Sequence, residues 1–384
     1  MLLRPYAAVI RGRLQWGLEF RLDDSGMIVE VGPHTGMPEP YVLTPAFVNA
    51  HSHLEYRTLM GQIPGGDYWT WIRQLTELKK SQTEAEVVAS CDLAAAENRA
   101  TGVHFIAEHS DRPFAGASLS RHGFEGPVFQ ELITFLEQAS PEEKRQIVLD
   151  RAATQGAAVS PHAYHTVDES SLRWVLAQGG PLSIHVAETQ AENDFTERGE
   201  GPLAAFYESF GFSRPPTGKS VAQSLLDLGF AGERVQFVHG CALSDTDISL
   251  IAGADVSLAH CPRSNIALGC PTARVRRWLD AGIRVGLGLD SAASSGPIDM
   301  FDEMRASLDL SRAIGEPITA EEVWWMATGG GYASIPSLPK VPYDLVPGAK
   351  MPLLRLSVEG AHETEDLLGL DPTAVSWIDG GDGA

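Results

Sequence analysis

Cysteine is scarce in this chain: Cys91, Cys241, Cys261 and Cys270 are the only four in 384 residues, and no two form a Cys-x-x-Cys pair. A thiolate zinc site and a disulfide framework are therefore excluded, and buried free thiols are expected. Basic residues are also few, 29 Lys and Arg against 50 Asp and Glu, for a formal net charge of −21. Such a surface repels a phosphate backbone, so a nucleic-acid polymer is not an expected partner. No run of about 18 apolar residues is present, so no membrane span is expected. The N-terminus, MLLRPYAAVIRGRLQWG, is broken by Pro5 and Arg11 and carries no small-residue cleavage site, which reads as a folded, cytoplasmic start. There is no internal repeat and no low-complexity block. The remaining partner class is a small molecule; homo-oligomer formation stays open.

What is present is a change of rhythm at residue 45. Residues 1–44 carry short alternating runs separated by Asp-Asp-Ser-Gly and Gly-Pro turns, the pattern of antiparallel strands. From residue 45 short apolar runs alternate with helical segments: LTPAFVNAH, VHFIAE, PVFQELI, GAAVSPH, LSIHVAE, VQFVHG, DVSLAHC and RVGLGLD are eight candidate strands. Stretches such as YWTWIRQLTELKKS and PEEKRQIVLDRAATQG lie between them, many closing on glycine as helix C-caps do. Eight such alternations predict a (β/α)8 TIM barrel. A doubly wound sheet would need a phosphate-binding glycine turn after its first strand, where His-Ser-His stands instead. After a last helix over residues 319–334, the segment 346–358 reads as a strand able to pair with the N-terminal ones. The expected division is a small β-sandwich built from 1–44 and 340–384, with the barrel over 45–339 and an acidic, Gly-ending tail that is partly disordered.

The candidate chemistry sits at the C-terminal strand ends, where barrel sites belong. His51 and His53 share one face of the first strand, since residues i and i+2 point the same way. Alone, such a pair is equally well explained by two strand-end residues bonded to backbone. The fifth strand adds His185 and, three residues on, Glu188; the sixth ends in His239 and the eighth in Asp290. Nitrogen and oxygen donors converging on one mouth suit a divalent metal.

The motifs PAFVNAHSHLE, SPHAYHTVD, HVAET, HCPRSN and GLGLDSAASSGPIDMFDEMR, in that order, resemble the amidohydrolase superfamily in its cytosine-deaminase-like and chlorohydrolase-like branch. The resemblance covers most of the chain. It implies a barrel with a two-terminus β-sandwich, a metal held by His51, His53, His185 and Asp290, and proton-transfer roles for Glu188 and His239. Two-metal members carry a carboxylated lysine at a middle strand end; here the third and fourth strands end near Gln130, Glu131 and His162, without a nearby lysine. One divalent ion is expected, zinc first, with iron(II) as the alternative. Metal-activated water, with Asp290 accepting its proton and Glu188 protonating a ring nitrogen, amounts to hydrolytic deamination.

Substrate choice falls to peripheral residues. His162 and Arg263 follow the fourth and seventh strands; Arg263 could fork a carboxylate or sit in a surface ion pair. Trp69 and Trp71 could lid a flat ring or pack as core, and Glu131 and Gln130 could read a base edge. NAHSHLE with HCPRSN looks most like the aminodeoxyfutalosine deaminases of menaquinone biosynthesis, which act on an adenine nucleoside bearing a carboxyphenyl ketone. Adenosylhomocysteine or methylthioadenosine deaminases are the nearest rivals, followed by other aminoheterocycle deaminases, a chlorohydrolase, an amide or imine hydrolase, and a non-catalytic scaffold. The C-terminal strand departs from the family, with Pro-Gly-Ala-Lys-Met-Pro where members carry Gly-Lys-x-Ala-Asp.

Overall fold

A computed structural model describes residues 1–63, 67–135, 139–211, 214–358 and 360–378. The tail beyond 378, expected from its composition to be partly disordered, lies outside the described residues. All eight candidate strands form: β1 (Phe47–Ser52), β2 (Val103–Ser110), β3 (Val128–Leu132), β4 (Ala158–Pro161), β5 (Leu182–Val186), β6 (Val235–His239), β7 (Ser257–His260) and β8 (Val285–Leu287). They make two four-stranded parallel sheets, ordered β4-β3-β2-β1 and β5-β6-β7-β8. Single parallel bridges, Ala163 to His185 and Ser52 to Asp290, link the two sheets at both seams. The chain is thus α/β with parallel sheets. Seven of the eight parallel strands are buried along their whole length and β4 is buried after half-buried Ala158, as parallel strands covered by helices must be.

The intervening helices start where local chemistry says they should. Thr83 with Glu86, Ser140 with Glu143, Ser244 with Asp247 and Thr319 with Glu322 form capping boxes that satisfy free N–H groups of the first turn. Gly156, with φ 66°, closes the helix Pro141–Gln155 in the left-handed conformation that a Cβ would resist. No helix among the described residues is long and apolar enough to cross a membrane.

Both ends of the chain meet in one five-stranded sheet, in which Leu353–Leu356 runs antiparallel to Glu39–Pro45 and Pro5–Ile10 runs parallel to it. A three-stranded antiparallel sheet, Leu2–Leu3, Leu18–Leu22 and Ile28–Pro33, accompanies it. The strand expected over 346–358 is confined to Leu353–Leu356. Pro347 and Gly348 turn the chain first, Gly348 at φ 87°, and the flanking backbone bonds to Ile28 instead: Gly348 N donates to the Ile28 carbonyl and Ile28 N to the Ala349 carbonyl.

The helix expected over 319–334 is interrupted at Thr328, whose φ of −129° and ψ of −108° separate Ala320–Ala327 from Gly329–Ser334. The second piece lies against β8 and β1 so closely that side chains are barred. A Cβ on Gly286 would stand 2.3 Å from Ser334 Oγ and 2.7 Å from Ala50 Cβ. Gly286→Ala is therefore expected to destabilise the fold by about 1–3 kcal/mol, the usual range for overpacking. Gly253→Ala, with nothing within 4 Å of its Cβ and at the end of a helix, serves as the neutral control in chemical denaturation.

Candidate metal and proton-transfer centre

His51, His53, His185, Glu188 and His239 are all buried, and each lies at or just beyond the C-terminal end of β1, β5 or β6. Asp290 follows β8. Its N–H donates to the His51 carbonyl (2.9 Å), and its own carbonyl accepts from His53 N (3.2 Å), so the backbones of the first and last parallel strands clasp each other at the site. Ala187, His239 and Asp290 hold φ values of 49°, 72° and 52°. Non-glycine residues rarely take this region, and where they do the surrounding structure compels it.

The tautomers of two rings follow from their partners. His53 Nδ1 lies 3.0 Å from the His109 carbonyl, and His185 Nδ1 lies 2.8 Å from the His162 carbonyl. A carbonyl only accepts, so both protons sit on Nδ1 and both Nε2 atoms present lone pairs. Those two Nε2 atoms face each other at 3.3 Å. A proton between them is disfavoured, because burial drives the His53 imidazolium down to about 3 despite the nearby Asp290 carboxylate. Both ring nitrogens of fully buried His51 lack a hydrogen-bond partner, and its Nε2 stands 3.6 Å from Asp290 Oδ1. Burial works to raise the Asp290 carboxyl, but the rings of His51, His239 and His53 hold it well below the carboxylate range. Donor atoms of His51, His53 and Asp290, and of His51, His185 and His239, lie within 4.8 Å of one another in each group. The converging nitrogens of His51, His53 and His185 and the ionised Asp290 carboxylate fit a divalent cation, with His239 at the edge of the cluster.

His239 differs from the other rings. Asn265 Nδ2 donates to His239 Nδ1 at 3.1 Å, which leaves the ring proton on Nε2, 3.7 Å from Glu188 Oε1. His239 is thereby presented as a donor to an oxygen rather than as a ligand. Glu188 is held from two sides: Tyr68 Oη donates to Oε2 at 2.6 Å, and Asn265 Nδ2 lies 3.4 Å from Oε1. Burial first, and then the Asp290 charge, raise Glu188 to about 8, against the lowering effect of the Tyr68 bond. A carboxyl that keeps its proton at neutral pH can donate it.

His162 stacks near His185, with ring centroids 4.7 Å apart, and its Nδ1 meets Thr166 Oγ1 at 3.0 Å. Glu131 Oε1 is buried without a partner, 3.7 Å from His185 Nδ1. Trp69 is half-buried beside His165 and against a cluster containing Phe195, Leu203 and Tyr207. Trp71 is buried with Tyr56, Leu59 and Leu75 as core. Gln130 does not face a ligand: its Nε2 donates to the Ser110 and Asp111 carbonyls, and its Oε1 accepts from Gln155.

Arg263 is engaged by its own chain. Its Nη1 donates to the Pro297 carbonyl at 2.7 Å, and its guanidinium stands 3.9 Å from both Asp302 and Glu303. It borders a groove on the helix Met300–Ala313 with Asp302, Arg305 and Asp309, so the intrachain ion pair is the alternative the structure favours.

Tyr68 and Asn265 were not legible as site residues. Tyr68 is 120 residues from Glu188 in sequence and Asn265 is 77 residues away. The only available signals were adjacency to Trp69 and membership of HCPRSN.

The sequence profile of the amidohydrolase family matches residues 42–335. A 5-methylthioadenosine/S-adenosylhomocysteine deaminase of Pyrococcus abyssi is 26% identical over 359 residues, 85% of this chain and 80% of that protein. Among solved structures, a zinc-bound adenosine deaminase of Xanthomonas campestris superposes with a TM-score of 0.83 at 21% identity, covering 97% of this chain and 90% of that one. An aminofutalosine deaminase of Helicobacter pylori, complexed with methylthio-coformycin, gives 0.79 at 18% identity, covering 98% and 97%.

Two substitutions separate ligand from donor. His185→Asn is expected to weaken metal binding by more than the about 10–100-fold typical of losing an outer-shell partner. Asn265→Ala should retain stoichiometric metal in elemental analysis of the purified protein while depressing turnover.

Proposed function

Because this chain belongs to the amidohydrolase family, we propose that it is a metal-dependent hydrolytic deaminase of adenine-type nucleosides. The observation that carries the reading is Glu188: a buried carboxyl raised to about 8, beside His239 and next to the histidine–aspartate cluster. The deaminase names of the Pyrococcus abyssi, Xanthomonas campestris and Helicobacter pylori proteins support the same chemistry. In this reading the two parallel sheets close into one eight-stranded barrel, supported by the bridges at both seams, and the terminal strands form a β-sandwich beside it.

His51, His53, His185 and Asp290 would hold the ion, zinc by the example of the Xanthomonas campestris structure. A divalent cation bound there supplies water with a pKa lowered toward neutrality. The chain's own groups do the rest. Tyr68 occupies Glu188 Oε2, so the transferable proton sits on Oε1 and goes to a ring nitrogen, making the adjacent amine-bearing carbon electrophilic. His239 Nε2–H orients the attacking oxygen, and Asp290 takes up the proton that oxygen loses. Asp290 passes that proton to the departing amine, the new hydroxyl returns a proton to Glu188 as it becomes the carbonyl, and the carbon–nitrogen bond breaks with loss of ammonia.

With Arg263 engaged elsewhere, recognition of a carboxylate-bearing tail lacks the residue expected to provide it. Aromatic side chains on the segments that follow β1, β3 and β5 remain: Trp69 and Tyr207 on helices and Phe135 after β3, the last-named ring stacked on Tyr207 at 3.7 Å. They favour a nucleoside with an apolar or aromatic 5′ substituent: methylthioadenosine fits as a whole, and aminodeoxyfutalosine through its phenyl ring but not through its carboxylate.

Absorbance during incubation with adenosine, methylthioadenosine, adenosylhomocysteine and aminodeoxyfutalosine should show conversion of the adenine ring to hypoxanthine for at least one. No ammonia from any of them would overturn the proposal. Glu188→Gln should keep the metal and lose about 10²–10⁴-fold in kcat, the range for a general acid. Activity needs Glu188 protonated and so falls as pH rises through its pKa. Tyr68→Phe removes a bond that lowers that pKa, and should move the alkaline limb of the kcat/KM profile upward.

A further inference from the structure

Half-buried His165 and buried Glu192 are two groups that the proposed chemistry does not use. His165 lies in the turn Tyr164–Thr166 after β4, and Glu192 in the first turn of the helix Gln190–Arg198 after β5. His165 Nδ1 and Glu192 Oε2 face each other at 3.9 Å, and neither has a hydrogen-bond partner. That separation exceeds a hydrogen bond. Neither group is placed to close the gap. Glu192 Oε1 accepts from Thr189 N at 2.9 Å, which pins the carboxyl, and the His165 carbonyl accepts from Tyr207 Oη while Trp69 flanks the ring. Glu192 is 1% exposed, so its free oxygen is a buried polar atom of the kind that native structures rarely leave unsatisfied.

The facing atoms define what would satisfy them. Burial lowers His165 to about 3 and raises Glu192 to about 7, so the imidazole is neutral and the carboxyl is partly protonated near pH 7. The nearby Arg214 guanidinium donates to the Tyr164 and Val167 carbonyls, so it is already engaged and the two facing atoms themselves offer no cation to a phosphate or carboxylate. A hydroxyl, able to donate to one atom and accept from the other, matches both. Glu192 follows Glu188 by four residues on the same strand-to-helix connection and lies close enough to Glu188 and His239 to feel both electrostatically.

Building on the nucleoside deaminase reading, we infer that His165 and Glu192 form a specificity subsite that holds one sugar hydroxyl of the nucleoside between Nδ1 and Oε2. These are positioning contacts to substrate, separate from the metal ligands and from Glu188.

The test compares kcat/KM for the preferred adenine nucleoside with the values for the two analogues that each lack one sugar hydroxyl. The wild type should lose about tenfold or more on one analogue, about the discrimination expected for one missing hydrogen bond with its partners left buried. In His165→Phe and in Glu192→Ala, each of which removes one of the two facing polar atoms, the gap should shrink below about threefold, mainly through a higher KM for the full nucleoside. Thermal melting identifies a variant that fails to fold, and the second variant then decides. Full turnover of both analogues by the wild type, or an undiminished gap in the folded variants, overturns the subsite and leaves the deaminase intact. Release of no ammonia from any adenine nucleoside overturns the deaminase reading, and the subsite with it.

Discussion

Two backbone carbonyls, those of His109 and His162, determine the character of the whole centre. By taking the Nδ1 protons of His53 and His185 they turn two Nε2 lone pairs toward one another at 3.3 Å, an arrangement that burial prevents either ring from relieving by protonation. Asp290 adds an ionised oxygen and His51 two nitrogens without partners. The electrostatic cost of gathering these donors in a dry site is offset by a cation, and stability and metal affinity are thereby coupled.

The sheets exist, functionally, to hold that geometry. Parallel strands deliver their C-terminal ends to one side, and the main-chain clasp between His51, His53 and Asp290 fixes the first strand against the last. Left-handed backbone at Ala187, His239 and Asp290 redirects side chains just where strands end. Such conformations persist because the packing around them allows little else, as at Gly286 and Gly331, where Ser334, Ala50, Val48 and Met326 leave no room for a Cβ. Division of labour among the histidines follows from single neighbours: a carbonyl makes His53 and His185 lone-pair donors, whereas the Asn265 amide makes His239 a proton donor.

Much of the fold was legible, because helix and strand periods and capping residues are local. Each of the eight parallel strands lies within or over its expected run, and the helix Tyr68–Ser81 matches YWTWIRQLTELKKS from end to end. Expectation failed where long-range contacts outweighed local pattern. Residues 346–352 were drawn away from strand pairing by the bonds between Ile28 and Gly348 and Ala349, and the helix over 319–334 broke where glycines had to pack on β1 and β8. The same limit governs the site. From sequence Arg263 reads equally as a ligand-binding residue or as half of an ion pair, and only the fold sets Asp302, Glu303 and the Pro297 carbonyl around it.

The sequence alone determined the identity and order of the chemistry-bearing groups, His51, His53, His162, His185, Glu188, His239 and Asp290, since period and motif put each at a strand end. Tertiary structure alone decided which nitrogen of each ring carries the proton, which oxygen of Glu188 is free, and that Tyr68, Asn265, His165 and Glu192 stand around them. The physical reason is distance along the chain. Proton positions are set by neighbours separated by tens to more than a hundred residues, and no local period encodes such meetings.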